Sequence, residues 1–286
     1  MNQRSRREAA KPTPDPVLTR LVWLAALWLG SRLIAGVIAA PFLGEGAQLD
    51  PARLVITQVP FWAATVGGLY WISRREGERF GPFVRWGFKP PDALVGLVAG
   101  FGLHWGVNLL YRALDSVGVS GDPSESARKL VEASPGVLGK VTLVVMVSVG
   151  APLVEELYYR GVAQRTAVEL AGGTAAPCVN RRSALGAAIG IGAVAVFFAL
   201  SHINSGADLI QVPGLVLVGV VLGTLTWRFD RLGASIVTHG VFNLCSLLVL
   251  LWLTACAHPQ VPPGATPTVS IPVLAGWFEG EVVHYV

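Results

Sequence analysis

Long apolar runs separated by short polar connections dominate this chain. Seven of them approach or exceed the roughly 20 residues that carry a helix across a bilayer: about 17–43, 54–72, 93–114, 137–158, 184–203, 212–227 and 232–256. No segment alternates apolar and polar residues at period two between closely spaced turns, as the strands of an outer-membrane barrel would. The pattern predicts an all-α, polytopic membrane protein with about seven transmembrane helices. It divides the chain into a basic segment 1–16, helices 17–135 without a recognised motif, a core 136–256, and a proline-bearing tail 257–286 expected to be loosely ordered.

Composition agrees: 52% of the 286 residues are apolar and 14% charged, whereas soluble domains carry about 25% charged residues. The first apolar run is too long for a cleaved signal and lacks a small-residue cleavage site, so it reads as a retained helix. The net charge of +4 is concentrated in connections. Arg4, Arg6, Arg7, Lys11 and Arg20 precede or open the first run, and Arg74, Arg75, Arg79, Arg85 and Lys89 follow the second. Arg181, Arg182, Arg228 and Arg231 belong to later connections on the same side. The positive-inside rule makes these cytoplasmic and the C-terminus extracytoplasmic, as in an integral protein of a bacterial inner membrane. The partner is the lipid bilayer, and no nucleic acid is expected, since membrane orientation explains the positive charge more simply; neither a P-loop nor a dinucleotide fingerprint is present. Cys178, Cys245 and Cys256 show no metal-binding spacing, and no disulfide is expected.

Ionisable groups inside spans are costly and point to function. Residues 154–161, VEELYYRG, place three in an apolar run. At about 100° per residue, Glu156 and Arg160 lie about 40° apart and can pair, while Glu155 lies about 140° from Arg160. Glu155 thus lacks a counter-ion on its own helix, which suits a general base. His239 and Asn243 share a face, as two donors suited to a developing oxyanion. His202, on the face of Phe198, is placed to orient a water against Glu155. His104 and Asn108 repeat the same spacing in the third run and read as packing.

In order and spacing, Glu155-Glu156-x-x-x-Arg160, Phe198-x-x-x-His202 and His239-x-x-x-Asn243 resemble the CPBP (CAAX protease and bacteriocin-processing) intramembrane endopeptidases, relatives of the type II CAAX prenyl endopeptidases. The resemblance covers about 137–250. It implies a catalytic cavity within the membrane and a membrane-associated peptide or protein substrate, cut near its C-terminus or a processing site. It also implies Glu155 as the base, His202 as water positioner, His239 and Asn243 as oxyanion donors, and Glu156 and Arg160 as supporting residues. No cofactor is expected, because a zinc-fixing HExxH is absent; if zinc is used, Glu155, His202 and His239 are its ligands. The alternatives are a non-catalytic immunity factor or secretion scaffold keeping these residues as interhelical hydrogen bonds, and a transporter.

Bringing the three motifs to one depth sets two expectations. The fourth helix should run past Arg160 towards Glu169, and the fifth should start near Gly190. Gly150 and Pro152 should kink the fourth helix and open the cavity.

Overall fold

The computed structural model describes residues 15–42, 51–174, 181–203 and 206–257. The basic N-terminal residues through 14, the connection holding Cys178 and the tail from 258 lie outside the described residues. Among the described residues there are helices and turns and no strand. The helices are α1 (Pro16–Ala39), α2 (Pro51–Arg75), a single turn α3 (Phe80–Phe83), α4 (Pro90–Ser116), α5 (Glu125–Glu132), α6 (Gly136–Leu170), α7 (Arg181–Leu200), α8 (Val212–Phe229) and α9 (Gly233–Ala257). Leu33, Val98, Leu109 and Leu138 stand exposed at 66–81%, an apolar surface that lipid, not water, would cover.

Among the described residues, six helical stretches are long and apolar enough to cross a membrane: Pro16–Phe42, Pro90–Ser116, Gly136–Leu170, Arg182–Leu200, Asp208–Phe229 and Gly233–Cys256. The seventh expected span, α2, is helical over 25 residues but more polar, carrying Thr57, Gln58, Thr65 and Ser73. It runs antiparallel to α1 over the same depth. Leu27 packs on Gly68, and Arg20 at the start of α1 bonds Glu76 just past the end of α2 at 2.6–2.9 Å.

One end of the bundle is a layer of ion pairs. Arg20 also reaches Glu169 at 2.9 Å; Arg165 pairs with Glu78 and Glu169; Arg231 clamps Asp92 at 2.6 and 2.8 Å; and Arg85 pairs with Asp230. The bond to Asp92 holds the Arg231 guanidinium above its already high ordinary range. These pairs join the ends of α1, α2, α6, α8 and α9 and the start of α4, the end where the basic connections gather. At the opposite end, α5 carries the Lys129–Glu125 pair on one side and buries Val131 on the other. Its Ser126 bonds Asp208 ahead of α8 at 2.6 Å. The sequence pattern had left α5 as a connection, being too short for a span.

Helix α6 is 35 residues long, about 52 Å at 1.5 Å per residue, so it crosses the apolar slab and ends among the ion pairs. It runs past Arg160 to Leu170, as expected. It is not uniform, being π-wound over Met146–Gly150 and Glu156–Ala163 with an α-helical stretch Ala151–Glu155 between. Ala151 N–H reaches back five residues to the Met146 carbonyl, and Gln164 N–H to that of Tyr159. In that register Pro152, which has no N–H, orphans the Val147 carbonyl. The Asn243 amide of α9 donates to it at 2.8 Å. Close approach makes this possible: a Cβ on Gly240 would stand 2.7 Å from the Ser148 carbonyl.

The fifth expected helix is a correction. As α7 it begins at Arg181, not near Gly190, and His202 lies in the turn beyond its last residue. The depths still meet, because the imidazole folds back over the final turn. Its Nδ1 bonds the Phe198 carbonyl at 2.7 Å and its ring lies 4.6 Å from that of Phe198. A side chain on a helix leans toward the N-terminus, and here that lean returns His202 to the bundle interior.

Candidate active site

Glu155 closes the α-helical stretch of α6 just where the wider π winding begins. Its side chain keeps 19% exposure and faces both histidines, with Oε2 lying 3.9 Å from Nε2 of His202 and 3.9 Å from Nε2 of His239. Both separations exceed a hydrogen bond and suit a shared water, which would sit about 2.8 Å from the carboxylate and from either ring.

The remaining ring nitrogens fix which face the imidazoles present. A backbone carbonyl can only accept, so His202 donates from Nδ1 to Phe198 and in its neutral form turns an acceptor Nε2 toward Glu155. His239 is oriented by a carboxylate, its Nδ1 lying 2.9 Å from Oε1 of Glu156. Neutral His239 likewise presents an acceptor. To donate to an oxyanion it must be protonated, and Glu156 stands where it supports that charge.

Glu156 is fully buried, with Arg160 Nη1 at 3.1 Å from the same Oε1. The expected pair is present, but Glu156 serves two partners. The helix wheel showed only one, because His239 arrives from another helix. The Glu156 Oε2 and the Arg160 Nη atoms have no hydrogen-bond partner among the described residues. The Arg160 guanidinium lies instead 4.3 Å over the Phe198 ring. Phe198 is 1% exposed and also meets the His239 ring at 5.9 Å. The phenylalanine of the motif therefore packs against both histidines and the arginine.

Asn243, placed beside His239 by its spacing, spends one of its two N–H donors on Val147. His104 lies 3.3 Å from the Ser246 hydroxyl, and Asn108 bonds the His104 carbonyl; both stay with α4 and α9, away from Glu155. The site opens on a small cavity between α1, α2 and α6, lined by Trp28, Ser31, Phe61, Thr65, Glu155, Tyr158 and Tyr159. Tyr159 bonds Ser201 at 2.7 Å and receives Trp28 Nε1 at 3.3 Å, tying α1 to the end of α7. No group of three metal-ligating side chains is drawn close enough to hold an ion among the described residues.

Fold and site together define a polytopic helical membrane protein with a carboxylate and two imidazoles converging inside the bundle. Residues 137–245 match the family model Rce1-like, described as type II CAAX prenyl endopeptidase Rce1-like, a match that supports the CAAX protease family the motifs resemble. The match takes in Glu155, Glu156, Arg160, Phe198, His202, His239 and Asn243, and leaves α1, α2 and α4 outside. No curated protein and no solved structure matched the chain.

Proposed function

We propose that this protein is an intramembrane endopeptidase that cuts a membrane-associated peptide or protein near its C-terminus or a processing site, using a water activated by Glu155 and no metal. The approach of Glu155 Oε2 to both Nε2 atoms at 3.9 Å carries this reading. Water held between Glu155 and His202 loses a proton to the carboxylate as its oxygen attacks the scissile carbonyl carbon. The oxyanion takes donors from protonated His239, whose charge Glu156 balances, and from the second N–H of Asn243. As the C–N bond breaks, Glu155 returns the proton to the leaving amine. The orientation proposed is N-terminus in the cytoplasm and C-terminus outside, in a bacterial inner membrane.

A second reading has support in the donor set itself, since two imidazoles and a carboxylate suit zinc. Ligands at 2.0–2.1 Å around a tetrahedral ion lie about 3.3 Å apart, so the 3.9 Å separations would have to contract. Glu155, His202 and His239 would then hold the ion, which would supply Lewis acidity to the same water. Activity that survives a strong chelator, in protein with much less than one zinc per chain, is expected; stoichiometric zinc whose return restores activity would replace the metal-free mechanism.

The function is tested by comparative proteomics of membranes from cells carrying the wild type or Glu155→Ala. Membrane-associated peptides with altered termini in the variant are expected. Unaltered termini would favour the non-catalytic immunity or scaffold reading.

A further inference from the structure

One charge inside the bundle has no part in the chemistry above. Arg32 belongs to α1, twelve residues and about 18 Å beyond Arg20 of the ion-pair layer, deep within the apolar slab. Its guanidinium stacks 3.8 Å over Trp28 and 5.2 Å from Phe61, two rings that line the cavity opening on Glu155. Nη2 makes a long 3.4 Å bond to the carbonyl of Ser201, the neighbour of His202. Nη1 is buried and has no hydrogen-bond partner among the described residues, and no carboxylate pairs with Arg32 there. A half-buried guanidinium with a buried idle donor inside an apolar slab is expensive. Among the described residues, Arg20, Arg160 and Arg231 each lie against a carboxylate, which Arg32 does not. Arg32, with Nη1 idle, thus stands between the cavity wall and the end of α7.

We propose that Arg32 is a specificity-determining residue that binds a carboxylate of the substrate and thereby sets the scissile bond against Glu155 and His202. A guanidinium held flat on an aromatic presents parallel N–H donors to both oxygens of a carboxylate. The carboxylate is either the free C-terminus of the peptide or an acidic side chain beside the cut. The proposal rests on the peptidase reading for the purpose of the site, and names a residue outside the segment the family model matches.

The test uses purified protein in detergent and a farnesylated, internally quenched peptide ending in three apolar residues, as free acid, as C-terminal amide, and as an amide with one of the three replaced by Glu. Wild type should cleave one carboxylate form about 10- to 100-fold better than the plain amide, the range for a charged hydrogen bond. The form preferred tells which carboxylate is read. Arg32→Gln should abolish the preference, cleaving the carboxylate and amide forms at equal rates, and Arg32→Lys should retain part of the preference. A preference of equal size in Arg32→Gln would overturn the proposal. A second arm needs no turnover: melting temperature of Glu155→Gln protein with the apolar tripeptide as acid, as amide and with Glu in place. Stabilisation by one carboxylate form, lost when Arg32→Gln is added, is expected, whereas equal stabilisation by all three forms would refute the assignment. Selective stabilisation together with no cleavage by wild type would leave the carboxylate site standing and defeat the peptidase reading instead.

Discussion

Replacing Glu156 by Gln separates what that residue does for the fold from what it does for catalysis. The side chain is fully buried, 3.1 Å from Arg160 Nη1 and 2.9 Å from His239 Nδ1. Glu156→Gln keeps shape and an acceptor oxygen but strands the Arg160 cation, 1% exposed, in the bundle. Stranding one partner of a buried pair costs about 3–5 kcal/mol. Arg160 keeps its contact with Phe198 at 4.3 Å, which offsets about 1–2 kcal/mol at a desolvated site. The net loss of roughly 1–4 kcal/mol corresponds to a fall of up to about 10 °C in melting temperature, read by intrinsic fluorescence in detergent. Turnover should fall by about 10²–10⁴, because a histidine deprived of its carboxylate partner loses up to about that much in serine proteases. The double variant Glu156→Gln with Arg160→Gln removes the stranded charge. It should recover most of the melting temperature and little of the turnover. Recovery of wild-type turnover along with stability would show that Glu156 only balances Arg160, and would refute its support of His239.

Asn243→Ala should slow turnover by about 10²-fold and also lower stability by about 1–3 kcal/mol, measured by thermal melting, because the Val147 carbonyl orphaned by Pro152 loses its donor. A turnover loss at unchanged stability would assign Asn243 to the oxyanion alone. For topology, a reporter active only in the cytoplasm and fused after Val286 should stay silent on the proposed orientation, in which α2 adds a seventh crossing to the six apolar spans; a bright signal would require an even number.

The helical membrane fold was legible because apolar runs of span length have few other uses, and the candidate site because polar residues stand out within them. Glu155, His202 and His239 could be picked out on that ground. Their meeting could not, since it depends on His202 folding back past the end of α7 and on the path of α6. Wheel arithmetic at 100° per residue assumes α-helix, and from Glu156 to Ala163 the winding is π, so the angles around the motif were approximate. Glu156 was matched to Arg160, its neighbour in sequence, because the bond to His239 spans 83 residues. Asn243 was read as an oxyanion donor alone, although Pro152 in the fourth run was a signal that some carbonyl would need a partner. Arg32 was passed over in a region without a motif, yet an arginine in the middle of an apolar run was visible and, on energetic grounds, carried the same message as the glutamates.

The central claim is that Glu155 activates the attacking water, and the rate of peptide hydrolysis by purified Glu155→Gln protein tests it most directly. With the carboxylate base removed, kcat should fall by at least about 10²-fold, while the melting temperature stays near that of the wild type because the side chain is part-exposed and its nearest imidazoles stand 3.9 Å away. Hydrolysis at the wild-type rate by a folded Glu155→Gln protein would contradict the account.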